Sequence, residues 1–316
     1  MTYAFDPELA ATIAMLPGSD LRDIPAARAQ MAQMQAMQPE PDGSGVQVRE
    51  EFAPGADGGP GVRLRVYTPD RPAAPAAVYD VHGGGFMVGN LAMVHPQNLW
   101  LARELGVVVV SVDYRLAPEH PFPAPLEDCY AGLVWTAKNA DTLGVDPARI
   151  AIHGISAGGG LCAGLALLAR GRGGPAIAFQ YLGVPEIDDR LDTPSMRAYT
   201  DTPMWSRPKA EISWDSYLGP GRRGSADVSP YAAPARATDL TGLPPAYVSA
   251  MQFDPLRDED IAYAQALLQA GIPTELHVFP GTFHGSAMAQ QAAVSMREAA
   301  ETLSVLRRWL ALPPVA

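Results

Sequence analysis

Cysteine is scarce in this sequence, in which Cys129 and Cys162 are the two cysteines among 316 residues. Two cysteines are too few for the disulfide framework of a small secreted domain, and they lack the spacing of paired metal ligands, so we expect no metal site. Basic residues are also in deficit, because 23 Lys and Arg stand against 34 Asp and Glu, a formal net charge of −11. Such an acidic surface repels phosphate backbones, which argues against a nucleic-acid partner.

Long apolar runs are absent as well. The longest strongly apolar stretch, residues 107–112, is far shorter than the roughly 20 residues that a membrane-spanning helix needs. The first ten residues carry neither a basic start nor an apolar core, which argues against a secretory signal. We therefore expect a cytoplasmic protein without stable membrane insertion. Its 47% hydrophobic and 18% charged residues are typical of a globular chain of one or two domains.

Short apolar runs alternate with helical patterns through most of the chain. Two segments of alternating polar and apolar residues, 46–52 and 62–67, are predicted to be strands joined by a Gly-rich turn. The apolar runs that follow are 76–81, 107–113, 150–154, 176–183, 246–250 and 275–279. The helical patterns that lie between and after them are 96–105, 126–139, 158–170, 257–270 and 288–310. This order predicts an α/β fold with a mainly parallel eight-stranded sheet and helices on both faces. Functional residues are then expected at the carboxyl ends of the strands.

Two segments interrupt the alternation and predict a helical cap. Residues 6–37 are expected to be helical, and Met31, Met34 and Met37 recur every third residue, near one face. A long insertion rich in Pro, Trp and charge follows the fourth of the later strands and carries one expected helix. The predicted division is 1–45 and 188–233 as cap segments, with 46–187 and 234–316 as the two parts of the core.

The segment Gly154-Ile155-Ser156-Ala157-Gly158 lies between an apolar run and a helical pattern. This context is required for a nucleophile elbow, in which small residues let strand and helix approach closely and the serine projects above the sheet. The N-terminus of the following helix also favours negative charge. We identify Ser156 as the candidate nucleophile. The alternative is an incidental serine in a glycine-rich turn.

The run 76–81 leads directly into His82-Gly83-Gly84-Gly85-Phe86. Consecutive glycines let backbone amides approach a substrate, and an HGGG sequence after the third strand is a known source of oxyanion-hole donors. We expect the N–H groups of Gly84, Gly85 and Ala157 to be these donors. His82 is expected to fix the loop rather than to act in catalysis.

The general base of such an enzyme follows the serine in the chain, which leaves His277 and His284 as candidates. His277 lies within the last apolar run. His284 lies in the loop after that run, at the face where a catalytic histidine belongs. We therefore predict His284 as the base.

The acid is expected between the serine and the histidine, directly after a strand. Asp254 follows the run 246–250 and is the first acid there. Its role would be to orient the imidazole and to stabilise the imidazolium ion. Asp258, Glu259 and Asp260 are alternatives, although acids in the first turn of a helix are expected from the helix dipole alone.

These motifs together resemble those of the hormone-sensitive-lipase-like esterases, a bacterial branch of the α/β-hydrolase superfamily. HGGGF at 82–86, DYRLAPEHPFPA at 113–124, GISAGG at 154–159, DPLRDE at 254–259 and GTFH at 281–284 occur in family order. The resemblance runs from about residue 62 onward. It implies hydrolysis of short- to medium-chain acyl esters without a cofactor, Asp254 as the triad acid, a helical cap and frequent homodimers.

The sequence departs from the family pattern at several positions. Ile155 precedes the nucleophile, where the family often has Asp, and Asp80 occupies a strand position that is usually apolar or aromatic. Acids at Glu186, Asp188 and Asp189, beside Arg190, would either line the pocket or form an ion-pair network that anchors the cap.

Substrate contacts are expected from the oxyanion motif and the cap, and the candidates are Phe86, Met37, Met204, Trp205 and Trp214. Methionine is adaptable, so a Met-rich cap would accept varied apolar groups. The alternative for each residue is simple packing between cap helices. An amidase, an acyltransferase and a non-catalytic ligand-binding protein are the competing functions, and the intact set of serine, histidine and aspartate disfavours the last.

Overall fold

The computed structural model describes residues 3–16, 20–55 and 58–313. Eight strands within these ranges form one sheet, and each strand expected from the sequence overlaps one of them. The strands are β1 (Val46–Ala53), β2 (Val62–Pro69), β3 (Ala77–Val81), β4 (Val108–Val112), β5 (Ile150–Ile155), β6 (Phe179–Gly183), β7 (Ala246–Met251) and β8 (Thr274–Phe279).

Helices cover the connections between the strands. They are α1 (Ala10–Met15), α2 (Ile24–Met37), α3 (His95–Leu105), α4 (Ala124–Lys138), α5 (Ala140–Leu143), α6 (Ala157–Arg172), α7 (Pro194–Ala198), α8 (Arg207–Leu218), α9 (Arg257–Gln269) and α10 (Ala293–Trp309). In the described ranges, no helix combines the length and the apolar character that crossing a membrane requires.

The sheet is mainly parallel, with the strand order β1-β2-β4-β3-β5-β6-β7-β8. β1 pairs with β2, and β2 with β4, in antiparallel registers. The strands from β3 to β8 pair in parallel. Their carboxyl ends therefore meet at one edge, which is where ligands bind in sheets of this kind.

Successive residues of a strand enter cores on opposite faces of the sheet. In β4, Val108 and Val110 pack in the core that includes α4, α6 and α9. Val109 and the preceding Val107 pack in the core that includes α3 and α10. Because both faces are buried, these strands consist almost entirely of apolar residues, and the periodicity of two is hidden in the sequence.

The helical segment expected over residues 6–37 is divided in the structure. A 3-10 helix at Pro7–Leu9, then α1 and α2, replace a continuous helix, and residues 17–19 lie outside the described residues. α2 begins after Asp23, whose side chain accepts a hydrogen bond from the Ala26 N–H at 3.0 Å. An acidic N-cap satisfies one of the free N–H groups at a helix start and fixes where the helix begins.

Polar contacts join α2 to the core. The Arg28 guanidinium donates to the carbonyl oxygens of Met87 and Ala117, both at 2.8 Å, and forms an ion pair with Glu119. Met87 follows the glycine loop directly, so this contact lies beside the predicted active site. The contacts tie the N-terminal segment to the core, and its separate status as a cap stays a prediction.

The insertion at 188–233 contains α7 and α8 and is fixed by ion pairs. Asp189 is fully buried and accepts hydrogen bonds from Arg236, at 2.5 and 2.9 Å, and from the Gly224 N–H, at 2.7 Å. Asp188 pairs with Arg190 at 2.7 Å. Of the two interpretations of this acidic cluster, an ion-pair network agrees with the contacts of these two aspartates.

Candidate active site

Ser156 lies at a sharp turn between β5 and α6. Its backbone has φ 60° and ψ −127°, a conformation that costs free energy for a residue with a side chain. A Cβ atom on Gly158 would lie 2.0 Å from the Val81 carbonyl oxygen, and one on Gly154 would lie 2.3 Å from the Gly158 oxygen. Only glycine fits at these two positions, so the motif fixes how closely the strand and the helix approach.

Two loops bring a histidine and an aspartate to this serine. The Ser156 Oγ lies 2.9 Å from the Nε2 of His284, which follows β8. The Nδ1 of the same ring lies 2.6 Å from the Oδ2 of Asp254, which follows β7. The other aspartate oxygen accepts the Leu256 N–H at 3.0 Å. Exposure is only 7% for Ser156, 8% for His284 and 0% for Asp254, so the chain of hydrogen bonds is shielded from water.

The N-terminal segment packs against the loop that carries His284. The Asp6 N–H donates to the Gly281 carbonyl oxygen at 2.9 Å. The Phe5 ring contacts the Phe283 ring, and Leu9 is fully buried in the same apolar cluster. The packed loop continues into a 3-10 helix at Ser286–Met288. α10 therefore begins at residue 293, and not at 288 as the sequence predicted.

Asp258 and Glu259, two of the three alternative acids, have other partners. The Asp258 carboxylate accepts the Ser195 N–H at 2.7 Å and pairs with Arg257. Glu259 accepts the N–H groups of Ile187 and Asp188, at 2.9 and 3.1 Å. These two acids stabilise backbone at the start of the insertion.

A second buried histidine–aspartate pair lies within the sheet. His153 of β5 and Asp80 of β3 approach to 2.9 Å between Nδ1 and Oδ1. Asp80 also accepts hydrogen bonds from Asn98 and Ser111, both at 2.9 Å. This network accounts for Asp80, an acid in a strand position that is usually apolar or aromatic in the family. His153 is not the hydrogen-bond partner of Ser156, because that partner is His284.

The oxyanion loop, residues 82–86, passes directly beside the elbow. A Cβ atom on Gly83 would lie 2.7 Å from the Ile155 carbonyl oxygen and 3.4 Å from the Ser156 Cβ. Gly84 and Gly85 have φ angles of 117° and 56°, a region that favours glycine. The loop therefore lies in contact with the nucleophile turn, and the role of its amides as oxyanion donors stays a prediction.

His82 fits the structural role expected of it. The ring is 1% exposed and stacks on Tyr114 with centroids 4.2 Å apart. Its Nδ1 lies 2.8 Å from the Gly83 carbonyl oxygen, and the Tyr114 hydroxyl donates to the His82 oxygen at 2.8 Å. Burial lowers the pKa of His82, which favours the neutral ring.

The candidate substrate residues fall into three groups. The Trp205 ring lies 5.7 Å from the His284 ring, and Met204 would contact a Cβ atom placed on Gly285. Phe86 and Trp214 are at most 1% exposed, so they form a wall behind the loop. Met37 is 80% exposed at the end of α2, and no described contact joins it to the three residues of the hydrogen-bond chain.

Two further residues stand out beside the site. Ile155, directly before the nucleophile, is 38% exposed and presents an apolar side chain at the surface. Glu186 is 0% exposed, and burial raises the pKa of its carboxyl to about 8. No signal in the sequence separates Glu186 from its ion-paired neighbours Asp188 and Asp189, because burial of an acid without a hydrogen-bond partner leaves no mark in the composition.

A nucleophile elbow at the carboxyl edge of a mainly parallel sheet, with a glycine loop beside it, defines an α/β hydrolase. The model of a family described as alpha/beta hydrolase fold matches residues 78–288 of this chain. The chain belongs to this family, in its hormone-sensitive-lipase-like branch. This finding confirms the predicted fold and the resemblance that the motifs indicated.

Several named proteins are similar to the chain over most of its length. Carboxylesterase NlhH of Mycobacterium tuberculosis is 42% identical over 244 residues, which cover 75% of this chain and 74% of that protein. Ethyl acetate hydrolase of Pseudomonas putida is 35% identical over 227 residues and 70% of each chain. The solved structure of a bacterial heroin esterase is 53% identical, with a TM-score of 0.95, over 97% of this chain and 98% of that one.

Proposed function

We propose that this protein is a serine carboxylesterase that hydrolyses short- to medium-chain acyl esters through an acyl-enzyme intermediate. Its enzyme class is carboxylic ester hydrolase, the class to which the named relatives belong. The observation that carries the proposed mechanism is the buried hydrogen-bond chain from Ser156 through His284 to Asp254.

In the first half-reaction, His284 Nε2 accepts the Ser156 proton while the serine Oγ attacks the ester carbonyl carbon. The oxyanion that forms accepts hydrogen bonds from the N–H groups of Gly84, Gly85 and Ala157. The imidazolium then donates its proton to the alcohol oxygen as the carbon–oxygen bond breaks. The alcohol leaves, and the acyl group remains on the serine.

In the second half-reaction, a water molecule transfers a proton to His284 and its oxygen adds to the acyl carbon. The resulting tetrahedral oxyanion collapses, the Ser156 oxygen leaves with the proton from the imidazolium, and the carboxylic acid is released. Throughout both steps, Asp254 accepts a hydrogen bond from His284 Nδ1–H, which fixes the tautomer that has a free lone pair on Nε2.

Aromatic walls close to the nucleophile support a preference for small acyl groups. Trp205 lies beside the imidazole, and Phe86 is held against α8, so rigid rings bound the space around Ser156. Ile155 offers an apolar surface beside the nucleophile. A relative named for the hydrolysis of ethyl acetate is compatible with this preference.

The association state and location of the protein stay predictions. From the family resemblance we expect a homodimer, and from the sequence a cytoplasmic enzyme without a nucleic-acid partner. Size-exclusion chromatography with light scattering would measure the association state directly.

The test is hydrolysis of p-nitrophenyl acetate, butyrate, octanoate and laurate by the natural chain and by Ser156→Ala. We expect turnover of the shorter esters that is lost in the variant, because triad members act as a unit. Ser44→Ala, an exposed serine far along the chain from the elbow, is the matched control and is expected to keep full activity. Equal turnover by the natural chain and a folded Ser156→Ala variant would refute the mechanism, and faster cleavage of matched anilides would favour an amidase.

A further inference from the structure

Glu186 is a buried acid to which the proposed mechanism assigns no role. It follows β6, and its backbone N–H donates to the Ser156 carbonyl oxygen at 3.2 Å. Its side chain is 0% exposed, and among the residues that the structure describes no donor completes a hydrogen bond to either carboxyl oxygen. A buried carboxylate without donors is costly, so this site favours the protonated acid, which can itself donate.

Among the residues that the structure describes, the titratable groups that act on the Glu186 carboxyl are acids and phenols. Burial raises its pKa to about 8, the Ser213 hydroxyl offsets this in part, and the Asp254 carboxylate raises the pKa further. The other titratable side chains that interact with it electrostatically are Tyr217 on α8, Tyr114 after β4 and Glu259 on α9. These acids and phenols do not stabilise the ionised form of Glu186, and the Ser213 hydroxyl does so without outweighing the effect of burial.

Ser213 of α8 connects Glu186 to the oxyanion loop. This serine is fully buried, and its hydroxyl donates to the Gly85 carbonyl oxygen at 3.0 Å. That carbonyl lies between two residues with left-handed backbone, since φ is 56° for Gly85 and 58° for Phe86. A left-handed phenylalanine is unfavourable, so contacts from outside the loop must hold this shape.

The same helix supplies a second contact to the loop. The Tyr217 ring of α8 stacks on the Phe86 ring with centroids 4.0 Å apart. α8 therefore holds the strained peptide between Gly85 and Phe86 through one hydrogen bond and one ring contact. The Glu186 carboxyl interacts with the hydroxyl of Ser213, the hydrogen-bonding member of this pair.

We propose that Glu186 is a positioning residue whose carboxyl donates a hydrogen bond to Ser213 Oγ, so that the Ser213 proton stays on the Gly85 carbonyl and the oxyanion loop keeps its shape. The proposal rests on the proposed esterase function. A serine hydroxyl has one proton and two acceptor lone pairs. Protonated Glu186 uses a lone pair, whereas ionised Glu186 can only accept and competes with Gly85 for the single proton.

The test is the pH profile of kcat and KM between pH 6 and 10, with the spontaneous hydrolysis subtracted. We expect kcat of the natural chain to fall reversibly above pH 8, as Glu186 loses its proton and the loop loses its anchor. Glu186→Gln donates from its amide at every pH, so it should keep kcat at pH 7 and lose the alkaline fall. Ser213→Ala removes the same anchor, so it should lower kcat roughly 10-fold at pH 7 with little change in KM and should also lose the alkaline fall. This decrease is smaller than the loss from deleting an oxyanion donor.

Controls separate this proposal from the proposed function. Glu301→Gln removes an acid on α10, on the other face of the sheet, and should keep the natural profile. Turnover that persists in Ser156→Ala would refute the esterase mechanism itself. With that mechanism intact, an unchanged alkaline fall in Glu186→Gln, or unchanged kcat in Ser213→Ala, would overturn the role of Glu186. Thermal unfolding of each variant identifies a folding defect, and Ser213→Ala tests the same link if Glu186→Gln does not fold.

Discussion

Asp254→Asn is the substitution that tests the hydrogen-bond chain most directly. The asparagine has the size of the aspartate, and its side-chain oxygen can still accept the Leu256 N–H. Its amide NH₂ then faces His284 Nδ1. That contact requires an acceptor at Nδ1, which places the ring proton on Nε2, where it prevents uptake of the Ser156 proton.

The size of the effect follows from the geometry. His284 Nδ1 and Asp254 Oδ2 are 2.6 Å apart, and the aspartate is fully buried. With charge centres about 4 Å apart and an effective dielectric constant of about 20, an imidazolium and a carboxylate attract by about 4 kcal/mol. Since about 1.4 kcal/mol corresponds to a tenfold rate change, we expect kcat to fall about 10³-fold.

The assay is p-nitrophenyl butyrate hydrolysis under saturating conditions, with Asp258→Asn as the matched control. Asp258 lies four residues away and holds Ser195 and Arg257, so its loss should cost less than tenfold in kcat and should appear mainly as a lower melting temperature. The reasoning fails if Asp254→Asn keeps more than a tenth of the activity while Asp258→Asn loses most of it.

Two further predictions concern packing near the site. Gly158→Ala would place a Cβ atom 2.0 Å from the Val81 carbonyl oxygen. We therefore expect urea unfolding to show a destabilisation of at least about 2 kcal/mol. Gly43→Ala is the neutral control, because a Cβ atom there would meet open space. Leu9→Ala removes a fully buried side chain from the cluster around Phe283, and should cost about 2–5 kcal/mol and lower kcat through the His284 loop. Equal stability of the two glycine variants, or unchanged kcat in a destabilised Leu9→Ala, would contradict these expectations.

The fold could be predicted from the sequence because its strands are buried on both faces. Runs such as 107–113 and 150–154 consist mostly of consecutive apolar residues, a pattern that few alternatives to a parallel sheet produce. The order of the predicted site residues also followed from topology, since each lies just beyond the carboxyl end of a strand. The structure brings both Ser156 and Asp254 within hydrogen-bond distance of the His284 ring.

The cap could not be predicted in the same way. The spacing of Met34 and Met37 suggested an apolar face on α2, but these side chains are 38% and 80% exposed. α2 is joined to the core by Ile24 and Ala27, which pack in the main apolar cluster, and by Arg28, through hydrogen bonds to two carbonyl oxygens. Contacts between a single arginine and backbone atoms leave no periodic pattern, because the acceptors are present at every residue.

The packing of the N-terminal segment on the His284 loop also constrains biosynthesis. The Ala293 N–H donates to Glu8, a residue 285 positions earlier in the chain. At roughly 5–20 residues per second, a ribosome needs about 15 to 60 s to cover that interval. During this time Phe5 and Leu9 have no partner in the later loop and are apolar surface available to chaperones. A nascent chain can acquire esterase activity only when that wait ends.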